Sequence, residues 1–96
     1  FRIAGEVFEG QVAILPNSRG HWLGFEDPTP FVLAANDLDV VFVGTGAQIC
    51  QIPLNFRAAL EDAGIGVEIM NSPTACRTYN VMLSEGRRIG LALIPV

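Results

Sequence analysis

The sequence predicts an α/β domain in which helices cover both faces of a central mixed β-sheet. Residues 40–43 (VVFV) are uncharged and are all β-branched or aromatic, which is typical of a strand buried on both faces. Strands and helices then alternate over the rest of the chain, as they do in α/β proteins. Because 96 residues can enclose one core but not two, we predict a three-layer single domain over residues 1–96 with a strand-rich N-terminal segment.

The N-terminal third contains short apolar runs separated by turn-forming residues. Strands are predicted over residues 1–5 and 6–16, with turns at Gly5 and at Glu9-Gly10. Residues 21–25 would form either a further strand or a packed loop, and residues 31–36 one or two turns of helix. This part of the chain is therefore expected to be irregular.

Two helices are predicted from apolar residues that recur every three to four positions. The first spans residues 53–63, with the stripe Phe56, Ala59, Leu60 and Ala63. The second begins with Ser72 as the N-cap and Pro73 in the first turn, and it ends at Gly86. Its apolar stripe is Ala75, Cys76, Tyr79, Met82 and Leu83.

Two further strands are predicted beside the central one. Residues 65–70 carry Glu68 in the middle, and a charge there indicates an edge strand or one exposed face. Residues 89–94 are apolar throughout and belong next to residues 39–44. The two helices would then lie on opposite faces, and the N-terminal strands would extend the sheet beyond residues 89–94. The direction of that last strand stays open, because Gly86 permits a tight reversal.

Composition excludes several classes of function. The formal net charge is −4, and the six basic residues are all arginines scattered along the chain, which argues against nucleic-acid binding. The longest uncharged run, residues 40–56, contains Gly, Gln, Pro and Asn and is too polar for a membrane span. Cys50 and Cys76 lack the spacing of metal ligands or of a disulfide scaffold, and they suit a reducing, cytosol-like compartment. No metal and no cofactor are predicted.

The candidate binding site lies where parallel strands end, since ligands of open α/β sheets gather outside the carboxyl ends of the strands. Loops 44–48 and 71–74 should converge there. The start of the second helix offers N–H groups and a positive dipole end with Arg77 nearby, so an anion or carboxylate could bind. In the alternative, the glycines only form a tight turn. The candidate residues are Gly44, Thr45, Gly46, Asn71, Ser72, Thr74, Cys76, Arg77 and Asn80.

Cys76 is the one candidate nucleophile in this set. Its place in the first turn of a helix can lower the pKa of a thiol. The only histidine is His21 in the irregular N-terminal third, and nothing in the sequence places it beside Cys76. Buried thiols of this kind usually serve packing, and Arg77 could equally pair with Glu68 or Glu85. We therefore assign no catalytic residue.

Four short blocks of sequence carry a family resemblance. They are residues 43–46 (VGTG), 70–72 (MNS), 75–80 (ACRTYN) and 85–88 (EGRR). In order and spacing the chain resembles the Mth-type family of domains of unknown function, whose mitochondrial relatives include assembly factor three of respiratory NADH:ubiquinone oxidoreductase. The resemblance implies a three-layer α/β fold and no established enzyme activity. In the mitochondrial branch it implies a chaperone-like role that binds a second assembly factor and early subunits.

Three hypotheses follow for the function. The first is a non-enzymatic interaction or assembly module, whose partner would be an assembly factor or a subunit of a membrane complex. The second is a small-molecule (anion) binder or thiol enzyme that uses residues 44–46, Ser72, Cys76 and Arg77. The third is a structural subunit whose apolar face closes a homo-oligomer. Without a visible targeting peptide, the bacterial cytoplasm is the expected location, whereas the eukaryotic relatives belong to the mitochondrial matrix.

Overall fold

The computed structural model of the protein describes residues 2–3, 6–7 and 9–95. Its elements follow the order β1 (Arg2–Ile3), β2 (Glu6–Val7), β3 (Val12–Leu15), β4 (Ser18–His21), α1 (Thr29–Leu33), a 3₁₀ turn (Ala35–Asp37), β5 (Val40–Thr45), α2 (Leu54–Asp62), β6 (Gly66–Met70), α3 (Ser72–Ser84) and β7 (Ile89–Ile94). The predicted alternation of strands and helices after the central strand is thereby confirmed.

A mixed five-stranded sheet in the order β4-β3-β7-β5-β6 forms the middle layer. The central strand β5 pairs in parallel with both neighbours, so that Val41 lies opposite Val67 of β6 and Gly90 of β7. Strand β3 pairs antiparallel with β7, and β4 pairs antiparallel with β3 at the outer edge. The predicted neighbours of β5 and the edge position of the strand with Glu68 are confirmed. The last strand, whose direction the sequence left open, is parallel.

Helices α2 and α3 cover opposite faces of this sheet, as predicted. Successive side chains of a strand point to opposite faces, so Val41 and Val43 pack in the core on the α2 side, with Phe56, whereas Phe42 packs in the core on the α3 side, with Tyr79. The two cores explain why the central run has no polar position. None of the helices in the described part of the chain has the length and apolar run that a membrane crossing needs.

The N-terminal strands depart from the prediction. The predicted turn at Glu9-Gly10 is confirmed, because Gly10 has a left-handed φ of 74° and lies between β2 and β3. Strands β1 and β2 pair with each other in a separate two-stranded sheet. The expectation that all N-terminal strands extend the main sheet is therefore correct for β3 and β4 and wrong for β1 and β2. The predicted turn at Gly5 lies outside the described residues.

Residues 22–25 form the packed loop rather than a strand. Trp22 is 2% exposed and its indole N–H donates to the backbone oxygen of Asp27 at 2.9 Å. Its ring contacts those of Phe25, Phe31 and Phe56 at centroid distances of 5.4–5.7 Å. The loop is thus held by an aromatic cluster that also fixes α1 and α2.

Candidate functional site

The two predicted loops do converge at the carboxyl edge of the parallel strands. The backbone N–H of Ser72 donates to the oxygen of Gly46 at 2.7 Å, and the N–H of Gly46 donates back to Ser72 Oγ at 2.8 Å. The Ser72 hydroxyl itself donates to the backbone oxygen of Ile94 at 2.5 Å. Ser72 is fully buried, with 0% exposure. One side chain therefore ties together the ends of β5 and β7 and the start of α3.

Gly44 is needed for this close approach. A Cβ atom built on Gly44 would lie 2.6 Å from Leu93 Cδ2 and 2.7 Å from both Cα and Oγ of Ser72. Gly46 has a φ of 99°, which favours glycine for conformational reasons. The two glycines thus serve the packing and the turn, which is the structural alternative that the sequence left open.

Thr45 organises the loop that follows the central strand. Its hydroxyl donates to the backbone oxygen of Gln48 at 2.8 Å, with the oxygen of Met70 at 3.2 Å as a second acceptor. The same hydroxyl oxygen accepts from the N–H of Cys50 at 3.1 Å. Thr45 thereby fastens the loop to the end of β6.

The N-cap of α3 is Asn71, and the prediction of Ser72 in that role is wrong. Asn71 has extended backbone angles (φ −66°, ψ 157°), and its side-chain oxygen accepts from the N–H of Thr74 at 2.8 Å. Ser72 is already the first helical residue, and its hydroxyl is turned toward Gly46 and Ile94. An asparagine and a serine are about equally good caps, so the sequence alone did not separate them.

The backbone N–H groups in the first turn of α3 are already bonded within the protein and are not available to an anion. The N–H of Ser72 bonds to Gly46, Pro73 has no N–H, and the N–H groups of Thr74 and Ala75 both bond to Asn71. An anion at this edge would depend on the exposed side chain of Arg77, whose guanidinium donates to Thr74 Oγ1 at 3.2 Å. A binding role for the nine candidate residues stays a prediction.

Cys76 faces the core instead of the loops. Its side chain is 7% exposed and packs in the α3-side cluster that contains Phe42 and Leu91, with Asn80 Nδ2 3.9 Å from the sulfur. Burial raises the pKa of the Cys76 thiol, and this effect exceeds the opposing influence of Arg77. The lowering that a helix start can cause is therefore outweighed by burial at this position. A thiol that stays protonated is a poor nucleophile.

A cavity of about 350 Å³ lies at the opposite, amino edge of the sheet. We call it the amino-edge cavity. Its lining includes Arg19 of β4, Asp37 of the 3₁₀ turn, Tyr79 and Leu83 of α3, and Arg87 and Arg88 just before β7. Sequence reasoning looked at the carboxyl edge and missed this cavity, although the adjacent pair Arg87-Arg88 was a visible signal.

Arg88 is held in place at the rim of this cavity. Its Nη2 lies 2.8 Å from Asp39 Oδ1 and its Nε 3.4 Å from Oδ2, while Nη1 donates to the backbone oxygen of Asn36 at 3.0 Å. The hydrogen bond from Arg88 lowers the pKa of the Asp39 carboxyl. These bonds join the chain before β5 to the chain before β7 and fix the orientation of the guanidinium.

Residues 1–94 match the family model described as "Protein of unknown function (DUF498/DUF598)". The chain belongs to this family. The resemblance seen in the four sequence blocks is thereby confirmed, and the match extends over nearly the entire chain. Among the described residues, no group of three or more His, Cys, Asp and Glu side chains could hold a metal ion.

The chain is similar to a bacterial and to a human protein. An uncharacterised protein of Rhodobacter capsulatus is 41% identical over 96 residues, which are 100% of this chain and 77% of that protein. The human NADH dehydrogenase [ubiquinone] 1 alpha subcomplex assembly factor 3 is 35% identical over 102 aligned positions, which cover 99% of this chain and 55% of that protein. The chain thus spans about half the length of this human relative.

Solved structures share the fold. An outer membrane protein from Bartonella henselae superposes with a TM-score of 0.86 at 26% identity, covering 98% of this chain and 85% of that one. A Mth938-like domain from Bordetella pertussis superposes with a TM-score of 0.71 at 25% identity, covering 90% and 73%. The family and the three-layer α/β fold are therefore consistent across sequence and structure.

The buried state of Cys76 leads to a direct prediction. Because its pKa is raised, the thiolate fraction at neutral pH is smaller than that of an ordinary cysteine, and access to the sulfur is restricted. We expect iodoacetamide at pH 7.5 to modify exposed Cys50 first. The rate at Cys76 should be about a tenth of the rate at Cys50, or lower. Mass spectrometry of peptides after timed quenching measures both rates. Equal rates for the two cysteines in the folded protein, or a faster rate at Cys76, would contradict this assignment.

Proposed function

We propose that the chain is a non-enzymatic interaction module that assists the assembly of a multisubunit respiratory complex in the bacterial cytoplasm. The family likeness to an assembly factor of NADH dehydrogenase supports this role. So does the carboxyl edge, where Gly46 bonds to Ser72, Asn71 bonds to Thr74, and the Ser72 hydroxyl bonds to the backbone of Ile94. The observation that carries the proposal is the strong exposure of three leucines in segments that pack on the same core cluster.

These leucines are Leu23, Leu33 and Leu54, and we call them the leucine surface. They are 78%, 82% and 81% exposed, the highest values among the large apolar residues that the structure describes. Each belongs to a segment that buries an aromatic ring in the α2-side core, namely Trp22, Phe31 and Phe56. The same segments thus have an aromatic side facing the core and a leucine on the outside.

Covering such side chains is favourable. Complete burial of one leucine contributes roughly 1.5–3 kcal/mol relative to exposure, so a partner that covers all three gains a substantial part of a binding free energy. The centre of a protein-protein interface is usually apolar, and exposed leucines can supply such side chains. With only 17% charged residues in the chain, few long charged side chains are available to shield this layer.

The test uses the triple variant Leu23→Ser, Leu33→Ser, Leu54→Ser. Surface substitutions of this kind usually change the free energy of unfolding by about 0.5 kcal/mol or less each, so the variant should fold. Immobilised wild-type protein is expected to retain subunits or assembly factors of NADH dehydrogenase from a lysate of the source cells, identified by mass spectrometry. The triple variant should retain about a tenth or less of them, since 1.4 kcal/mol of lost binding corresponds to tenfold.

Val81→Ser provides the matched control. Val81 is 54% exposed on α3, which covers the other face of the sheet, so its replacement should leave retention unchanged. Equal retention by the wild type and the triple variant would exclude the leucine surface as the interface. If the wild type sediments as a dimer and the triple variant as a monomer, the surface closes a homo-oligomer instead of binding an assembly partner.

A further inference from the structure

The amino-edge cavity carries an unusual concentration of positive charge. Three of the six arginines of the chain, Arg19, Arg87 and Arg88, line it, although the formal net charge is −4. They come from two sides, since Arg19 lies on the edge strand β4 and the other two on the connection between α3 and β7. Among the described residues, Asp37 is the one carboxylate in the lining and Asp39 pairs with Arg88 at the rim, so the three arginines exceed these two carboxylates by one. Charges of one sign around a cleft attract a ligand of the opposite sign.

The three arginines do not have equal roles. Arg88 is engaged with Asp39 and with the backbone of Asn36, so its guanidinium is oriented before any ligand arrives. Arg19 and Arg87 are both exposed at the rim. The charge of Arg19 is felt at Tyr79, where it opposes the rise in the pKa of the phenol that burial causes. Arg19 and Tyr79 both line the cavity.

Apolar side chains form part of the lining, beside the polar ones. Ile14, Tyr79 and Ile89 are 3%, 4% and 3% exposed and belong to the α3-side core, whereas Leu83 is 40% exposed at the mouth. A concave apolar surface with a few convergent polar groups is typical of small-molecule sites, and a volume of about 350 Å³ lies at the lower end of their range. The ligand should thus be small and have an apolar body.

We propose that the amino-edge cavity binds a small organic carboxylate. Arg19 and Arg87 hold the carboxylate, because the planar guanidinium fork matches its two oxygens, and the apolar body lies against Tyr79 and Leu83. The cavity lies at the sheet edge opposite to the loops that the sequence singled out. None of the three leucines lines it, so the two sites are tested with different variants, and the binding of this ligand and the capture of a protein partner can fail independently.

The ligand affinity of an Asp37 variant distinguishes a binding site from a purely structural one. The Asp37 carboxylate lines the same cavity and repels an anionic ligand. Asp37→Asn should therefore bind the ligand more tightly than the wild type, about threefold to fivefold for a partly exposed charge. A role of Asp37 in stability alone does not produce this gain.

The experiment is an NMR titration of the ¹⁵N-labelled protein with hexanoate, and with acetate and 1-hexanol as matched probes. Hexanoate is expected to bind saturably, with the largest amide shifts at Arg19, Tyr79 and Arg87. Acetate lacks the apolar body and 1-hexanol lacks the charge, so both should bind about tenfold more weakly or not at all. The absence of saturable hexanoate binding, or equal binding of acetate or of 1-hexanol, overturns the proposal.

Variants then assign the roles of the side chains. Arg19→Gln and Arg87→Gln should each weaken hexanoate binding by about fivefold to tenfold, while Arg87→Lys should retain part of it. Arg57→Gln is the control, because Arg57 pairs with Glu61 on α2 at 3.4 Å and does not line the cavity. Far-UV circular dichroism confirms that each variant is folded. Unchanged hexanoate affinity in both Arg19→Gln and Arg87→Gln, or weaker affinity in Asp37→Asn, overturns the proposal.

Discussion

Replacing Phe56 with alanine is expected to lower the free energy of unfolding by about 3–5 kcal/mol, the usual cost of removing a buried aromatic ring. Phe56 is 1% exposed, and its ring centroid lies 5.6 Å from that of Trp22, 5.2 Å from Phe25 and 5.9 Å from Phe31. The substitution removes the burial of the ring, loses edge-to-face contacts with its neighbours, and leaves a cavity where α1, α2 and the loop at Trp22 meet.

The loss is large for a chain of this size. Small domains have a total stability of only about 5–15 kcal/mol, so Phe56→Ala should unfold at a much lower urea concentration, with a Tm reduced by more than about 10 °C. Leu54→Ala is the matched control, since Leu54 lies in the same helix and is 81% exposed. Urea titrations followed by far-UV circular dichroism measure both variants. A loss below about 1 kcal/mol for Phe56→Ala with an unchanged m-value would contradict the packing of the cluster.

The architecture around the central strand was predictable because periodicity reports burial directly. In β5, Val41 and Val43 pack on one face and Phe42 on the other, so these positions have to be apolar and residues 40–43 have no polar side. In α2, Phe56 and Leu60 are buried four residues apart, which is one turn of helix. Local pattern and tertiary environment agree in these elements.

Strand β4 could not be predicted from the periodicity of apolar residues. Strand β4 (Ser18–His21) has the sequence SRGH and no apolar alternation, and its side chains are mostly exposed. It is a strand because it pairs with β3, with Val12 opposite His21 and Leu15 opposite Ser18. Pairing with a neighbour is a tertiary effect that a single-sequence pattern does not contain.

At the carboxyl edge, the meeting of the two loops was predicted correctly, but the hydrogen bonds of Ser72 between them were not. The rule for parallel strands places loops 44–48 and 71–74 together, and the structure confirms that they meet. The rule does not say what fills the space between them. The partners of the Ser72 hydroxyl, Gly46 and Ile94, lie 26 and 22 residues away in sequence, so their hydrogen bonds are invisible to any local pattern.

Ser72→Ala is expected to lower the free energy of unfolding by about 2–4 kcal/mol, because each buried polar group left without a partner costs about 1–3 kcal/mol. The substitution leaves the buried N–H of Gly46 without its acceptor, and it removes the donor to the backbone oxygen of Ile94, which is partly buried and so adds less. Ser84→Ala is the matched control in the same helix. Its hydroxyl bonds to the oxygen of Val81 at 2.7 Å in an exposed position, where water can replace it, so the change should be within about 0.5 kcal/mol.

Hydrogen exchange separates the lost bond from a general loss of stability. In the wild type the amide of Gly46 donates to a fully buried hydroxyl, so it should exchange slowly, whereas in Ser72→Ala it should exchange faster by more than the global change explains. The amide of Ser72 still has the oxygen of Gly46 as its acceptor and should follow the global change only. If the Gly46 amide keeps its protection in Ser72→Ala, another group satisfies it, and the serine does not hold the two loops together. A selective loss of protection at Gly46 means that this hydroxyl, and not a bound ligand, closes the carboxyl edge of the sheet.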